Sequence, residues 1–531
     1  MSTGKYLTPI VGGLLSSLLV LGCGEETRTS PDETQTTPYS PPSEQLEEDP
    51  AALTPEPTDA SSIFLAGSKG VGDPYFPNLG NGGYDVTRYL IQVTWTPSSL
   101  TLRGSTTIEA ETTDNLSSFN VDLNPNMHVS SVTVNGDAAD FTRESSEIIV
   151  KPVSNLPAGS EFQARFTYNG EPGMSLLENA PFDGGWFNQL SDTAEDFSCS
   201  SCGTYVYGEP SSSMAWHPVN DHPSDRAQFR IEMSVKMDPS QLWNNPDWEF
   251  VTNGFLIDKR KAENGMTTWI YETKYPRAPY LTTLAFGSFV EFEEANLGDV
   301  QLRHWAQSPP LPVDIFEVDF FGFDYRSMFE VFTDLFGPYP FDTYGYLVIN
   351  EDLGLALETQ TLSIFGYDAF QQPGVHVHEL AHQWFGNHIT LDNWSEIWLN
   401  EGFATYSQFL YEEAVNPDYD IYYAMRNVVS AFEDEEQLLN KVPPGDPGPE
   451  DLFSASVYFR GALTLHALRI EIGDEVFFAS LRKYVEDFGG KNVTTSDFIE
   501  TVEGVSGEDL EDFFNRWLYD LEMPTLPLAS N

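Results

Sequence analysis

Two histidines four residues apart, His378 and His382, bracket Glu379 in the stretch His378-Glu379-Leu380-Ala381-His382. On a helix, residues i and i+4 share one face, so both imidazoles can point at one metal ion. Glu379 is turned away from that face by one residue, which suits a proton acceptor better than a ligand. After eighteen intervening residues comes Glu401, within Trp398-Leu399-Asn400-Glu401-Gly402-Phe403-Ala404. A catalytic zinc takes three protein ligands and keeps one open position, and His378, His382 and Glu401 fill that requirement. Zinc, rather than cobalt or manganese, is inferred from the ligand types. With nine histidines and 81 acidic residues in 531, a chance His-acid-x-x-His is expected only ~0.02 times in such a chain. The pattern therefore forces two helices to meet at a metal. Apolar Val375, Val377, Leu380, Ala381, Trp384 and Phe385 surround the polar trio, as a buried helix requires. His376 and His388 lie off the ligand face and read as polar neighbours.

The spacing and its flanks, HELAHQWFGN from His378 and WSEIWLNEGFA from Trp394, resemble the gluzincin metallopeptidases of family M1. The resemblance extends from about residue 84 to about residue 524. It includes Tyr84-Asp85-Val86, Pro279-Tyr280-Leu281, Phe286-Gly287-Ser288-Phe289 and Phe336-Gly337-Pro338-Tyr339-Pro340-Phe341. It implies a zinc aminopeptidase with one ion per chain, acting on peptides. It also implies three further site residues. Tyr458, in Val457-Tyr458-Phe459-Arg460-Gly461-Ala462, corresponds to a phenol that donates to the oxyanion of the tetrahedral intermediate. Glu358, in Leu355-Ala356-Leu357-Glu358-Thr359, and Glu209, in Tyr207-Gly208-Glu209-Pro210, correspond to carboxylates that bind the substrate's free amine. Leu355, Leu357 and Thr359 replace the family's Gly, Met and Asn. That keeps a zinc endopeptidase with an open cleft as the alternative. A non-catalytic, peptide-binding surface lipoprotein is the remaining reading, although every catalytic position is filled. The chain is expected to be a short form without the family's C-terminal helical domain.

Net charge is −55, which disfavours nucleic acid and anionic lipid as partners. Residues 1–22 read as a lipoprotein-type signal peptide: Lys5, an apolar run over 7–21, then Cys23 as the expected lipid-bearing residue. Residues 23–75, rich in Pro, Thr and Glu, read as a disordered tether. Together these predict an exported bacterial cell-envelope lipoprotein, periplasmic or cell-surface, held to the membrane only through Cys23, or else a secreted protein. In that compartment Cys199 and Cys202 are expected to form a disulfide.

The predicted fold is α+β. Period-two alternation over 89–95, 105–111, 129–134, 162–168 and 229–235 assigns residues 76–295 to an antiparallel β-sandwich-like domain. Helical periodicity over 315–335, 375–385, 396–413, 419–439, 458–471 and 475–487 assigns 296–525 to a mainly helical, thermolysin-like metallopeptidase domain.

Overall fold

A computed structural model of the chain describes residues 63–175, 177, 180–181, 184–189, 203–236, 248–293, 296–307, 325–433 and 438–527. Residues 1–62, with Cys23, and the Cys199–Cys202 segment lie outside the described residues.

Each alternating stretch forms a strand. Residues 161–170 alternate exposed and buried side chains along Glu161–Gly170, the signature of a strand with one face on a core. An 11-stranded sheet is built around the antiparallel pair Tyr84–Thr96 and Thr101–Thr112. It is not wholly antiparallel, because Gln228–Lys236 runs parallel to Tyr84–Thr96. Leu65–Ala66 likewise runs parallel to Leu116–Asp122.

That last pairing corrects the expected tether, whose final residues 63–75 are folded. The Pro, Thr and Glu-rich composition does not extend to them, since Ile63, Phe64, Leu65, Ala66 and Val71 are apolar, and polar contacts also hold the segment in place. Asp73, 3% exposed, accepts hydrogen bonds from the backbone N–H groups of Tyr75 and Phe76. Its other oxygen meets His222 Nε2 at 3.2 Å and the Trp394 N–H at 2.8 Å. The Tyr75 hydroxyl donates to Asp446 and accepts from the Gly448 N–H.

A second, nine-stranded sheet passes from the β-rich half into the helical half. Leu284–Glu293 pairs with Gly203–Tyr207 and Trp248–Thr252, and its last residues pair with Gln301–Gln307. Tyr346–Ile349 and Ser363–Gly366 continue the sheet in parallel, and Ala356–Leu357 forms its edge. Ala356–Leu357 falls where the family resemblance implies a strand, whereas Tyr346–Ile349 and Ser363–Gly366 lie in the stretch assigned to the helical domain, because four residues carry no usable period.

The helices follow the 3.6-residue pattern, as Tyr325–Phe336, Pro373–Ala381, Trp398–Val415, Ile421–Glu433, Gly461–Ile472 and Asp474–Phe488; residues 315–324 and 434–437 of the expected helices lie outside the described residues. A further helix, Thr495–Ser506, starts at a capping box in which Thr494 and Asp497 satisfy one another's backbone N–H groups. A large hydrophobic core runs through both halves, from Phe76 to Leu518, beside a smaller cluster that includes Tyr205, Phe289, Leu347 and Ile364. Among the described residues no helix is long and apolar enough to cross a membrane.

Candidate metal centre and active site

His378 lies near the end of the Pro373–Ala381 helix and His382 directly follows it. The helix begins at Pro373, where a missing N–H does no harm. The chain then turns sharply at Gly386, whose φ of +122° suits glycine and whose backbone lies against Asn400 and His382. Glu401 stands in the first turn of Trp398–Val415. Between these helices, His378 Nε2 and His382 Nε2 are 3.0 Å apart. Glu401 Oε2 lies 3.2 Å from the first and 3.5 Å from the second. A tetrahedral ion with bonds of ~2.0–2.1 Å needs ligand atoms about 3.3 Å apart, so the triangle has the right size for zinc. His382 Nδ1 is 3.0 Å from the Phe385 carbonyl. Donating there fixes the tautomer and leaves Nε2 as a lone pair facing the centre. Gln408 donates to the Gly374 carbonyl at 2.8 Å and also bonds His378, tying the second helix to the first.

Tyr458 sits in the π-helical turn Ser456–Arg460 that precedes Gly461–Ile472. Its ring stacks on His378, with centroids 5.9 Å apart and planes 15° from parallel. The turn approaches Trp398–Val415 through two glycines: a Cβ on Gly461 would lie 2.9 Å from Gly402 Cα. Arg460 braces the turn from behind, donating to the carbonyls of Trp517 and Leu521.

Glu358 follows the edge strand Ala356–Leu357. Its carbonyl accepts from Gln383 at 3.0 Å and Asn387 at 2.8 Å, both just beyond the histidine helix. Glu209 follows strand Gly203–Tyr207. Its loop is gathered by Asp221, which accepts from the Ser211 hydroxyl and the Met214 N–H. Carboxylate oxygens of Glu209, Glu358 and Glu401 all lie within 4.8 Å of one another. All seven residues singled out in the sequence line one cleft of ≈ 900 Å³ that opens to solvent. Tyr207, Gln372, Thr405, Gln408, Phe453 and Phe459 line it too and were missed. Thr405 and Gln408 were within reach, because they repeat Glu401 at i+4 and i+7. Tyr207 ends the strand Gly203–Tyr207 and Phe459 follows Tyr458 in its π-helical turn, while Gln372 and Phe453 come from connecting segments that a sequence does not orient. His376 bonds the Phe370 carbonyl and the Tyr325 hydroxyl, away from the ligand triangle.

The cleft is an acid-rich enclosure that calls for positive charge. Glu379 Oε2, Glu358 Oε1 and Glu209 Oε1 are buried with no protein partner. Burial, reinforced by the neighbouring carboxylates, holds Glu209, Glu358 and Glu379 above the usual carboxylate range. Burial would also raise Glu401, but His382 and His378 overcome it and bring Glu401 down to about 2. Burial would lower His382, but Glu358 and Glu401 overcome it and lift His382 to about 10. Without metal, His382 therefore carries a proton below about pH 10. Metal binding must displace that proton. We expect zinc affinity, measured by chelator competition, to rise about tenfold per pH unit between pH 7 and 9 and to level off above the His382 pKa. A pH-independent affinity would show that His382 is already neutral in the apoprotein.

Two imidazoles, a helical carboxylate and an unpaired glutamate beside them define a one-metal centre of the gluzincin class. Residues 325–517 match the Peptidase family M1 domain. Glutamyl aminopeptidase of Bitis rhinoceros is 24% identical over 345 residues, covering 61% of this chain and 35% of that protein. Aminopeptidase M1 of Arabidopsis thaliana is 25% identical over 335 residues, covering 58% and 36% respectively. The chain thus spans about a third of the length of these two relatives. A mutant M1 zinc metallopeptidase from Deinococcus radiodurans, crystallised with a Tyr-Ser-Ala substrate, superposes with a TM-score of 0.75 at 29% identity. The match covers 87% of this chain and 100% of that one. Residues 325–517 thus carry a Peptidase family M1 domain, the β-sheet and helical halves are arranged as in the two-domain M1 zinc metallopeptidase, and the cofactor that the site fits is zinc.

Proposed function

We propose that this protein is a zinc aminopeptidase that removes residues from the N-termini of peptides. The observation that carries this reading is the pair of buried, unpartnered carboxylates, Glu209 and Glu358, beside Glu401. A substrate ammonium is the cation that such a pair would hold, and it would set the first peptide bond next to the metal ligands. Zinc, held by His378, His382 and Glu401, supplies a Lewis acid that polarises a carbonyl and makes water acidic near neutral pH. Glu379 takes the proton of the attacking water and returns it to the leaving amine. Burial, with Glu401 and its neighbours, keeps the Tyr458 phenol well above its ordinary pKa. The phenol therefore stays protonated and donates to the developing oxyanion.

The endopeptidase reading is favoured by one observation: the edge strand carries Leu355, Leu357 and Thr359 in place of the family's Gly, Met and Asn. Paired substrates decide between them. Free aminoacyl chromogenic amides are expected to be cleaved, and the same amides acetylated on nitrogen to be resistant by at least ~100-fold, since a buried carboxylate pair left without its cation is strongly penalised. Equal cleavage of both sets would replace the aminopeptidase by an endopeptidase.

The composition of residues 1–62 supports export, with lipidation at Cys23 holding the enzyme at a bacterial envelope membrane, and a Cys199–Cys202 disulfide suits that oxidising compartment. Labelling with a fatty-acid probe, lost on Cys23→Ser, tests the anchor.

A further inference from the structure

Arg277 is completely buried and sits about the seam between the two halves. Its backbone is fixed by reciprocal hydrogen bonds with Ala227. Its Nε donates to Thr282 Oγ1 at 2.9 Å, and its guanidinium carbon lies 4.1 Å from the Phe229 ring centroid. These contacts use one edge and one face of the group. Both terminal nitrogens, Nη1 and Nη2, are buried and have no acceptor. A buried charge without a counter-charge is among the least favourable arrangements a protein can hold. It is the more unexpected in a chain of net charge −55, where carboxylates are plentiful.

The guanidinium lines a small cavity, with room for about one water-sized guest, together with Gly254, Thr273, Lys274, Gln360 and Asp342. Asp342 is the one carboxylate on that wall, and its Oδ2 is paired with Lys274 at 2.8 Å. Its Oδ1 is buried and unpartnered. Desolvation alone accounts for the lowering of Arg277 to about 9, with no carboxylate opposing it. The Gln360 amide oxygen also lacks a donor, but a neutral amide could satisfy N–H groups without balancing the charge. Two cations, Arg277 and Lys274, thus face one carboxylate in a space suited to a small guest.

We propose that this cavity is a binding site for a monovalent anion of chloride size, held by Nη1 and Nη2 of Arg277. The planar fork presents two N–H donors to one acceptor, and a single negative charge matches the single uncompensated positive one. The bound anion fastens the Pro276–Thr282 segment, whose Leu281 carbonyl accepts the Gln360 N–H at 3.2 Å, to the turn that follows Glu358. This site is independent of the proposed peptidase activity, and its test needs no substrate.

The test is thermal unfolding of the full-length, zinc-loaded protein in sodium chloride, sodium bromide and sodium gluconate. Ionic strength is held equal, because all three salts screen the net charge alike. Chloride and bromide are expected to raise the midpoint saturably, by roughly 3 °C at 100 times the dissociation constant. Gluconate, too large for the cavity, gives no rise, and Arg277→Met abolishes the difference. Identical midpoints in all three salts would overturn the proposal and leave water bridging Arg277 and Asp342. So would a chloride effect that persists in Arg277→Met. Should that variant fail to fold, anomalous diffraction from a bromide-soaked crystal decides: a peak at the Arg277 terminal nitrogens supports the site, and an empty cavity refutes it.

Discussion

Glu379→Gln is expected to lower kcat on free aminoacyl amides by about 10²–10⁴-fold while zinc stays at one per chain. The substitution keeps the shape of the side chain and removes only its capacity to accept a proton. Glu379 Oε2 has no protein partner, so the amide breaks no bond in the fold. It also relieves an acid enclosure in which burial and neighbouring carboxylates already oppose ionisation. Thermal stability should therefore be unchanged or raised. Turnover on a chromogenic amide, metal content by elemental analysis and a melting curve are the three readings. Near-normal turnover with full zinc occupancy would show that another group moves the proton.

Gly461→Val is expected to damage the site from outside it. A Cβ at that position would lie 2.9 Å from the Cα of Gly402, and both contacting atoms belong to backbones that cannot swing aside. Valine, with its branched Cβ, makes the clash worse. Overpacking of this kind costs about 1–3 kcal/mol, which exceeds the few tenths of a kcal/mol, roughly, by which valine improves on glycine in a helix interior. The two helices must separate, and Glu401 adjoins Gly402 while Tyr458 rides on the turn before Gly461. We expect at least a tenfold fall in kcat/KM, because sub-ångström placement governs such sites, together with weaker zinc binding. Alanine at 461 should give a milder form of both effects. If the valine variant keeps wild-type kcat/KM and zinc affinity, the glycine contact does not set the distance between the metal ligand and the phenol.

What was legible in the sequence was whatever depends on local periodicity. The spacing of His378 and His382 dictates a shared helical face, and the alternation along 161–170 dictates a strand. Glu401 was legible for a different reason: its interval from His382 matches a known arrangement, and the structure closes that interval with a glycine turn at Gly386. The short strands Tyr346–Ile349 and Ser363–Gly366 were hidden because buried parallel strands are uniformly apolar. The remaining cleft wall was hidden because Tyr207, Gln372 and Phe453 are brought together by tertiary folding alone. The start of the fold at residue 63 is marked in the sequence by Ile63, Phe64, Leu65 and Ala66, which end the Pro, Thr and Glu-rich stretch. Composition does not register a single carboxylate such as Asp73, which organises its segment through four polar contacts.

Asp73 has a mechanical meaning as well. One oxygen reaches His222 in the β-sheet half and Trp394 beside the second metal helix. Tyr75 clasps the 446–448 loop. A pull applied at Ile63 is therefore met first by the pairing of Leu65–Ala66 with Leu116–Asp122 in the β-sheet half, and beyond it by the Asp73 junction that touches both halves. A load entering at the N-terminus would thus pass through the β-sheet half to the place where both halves meet, and so would draw the two walls of the cleft together with it.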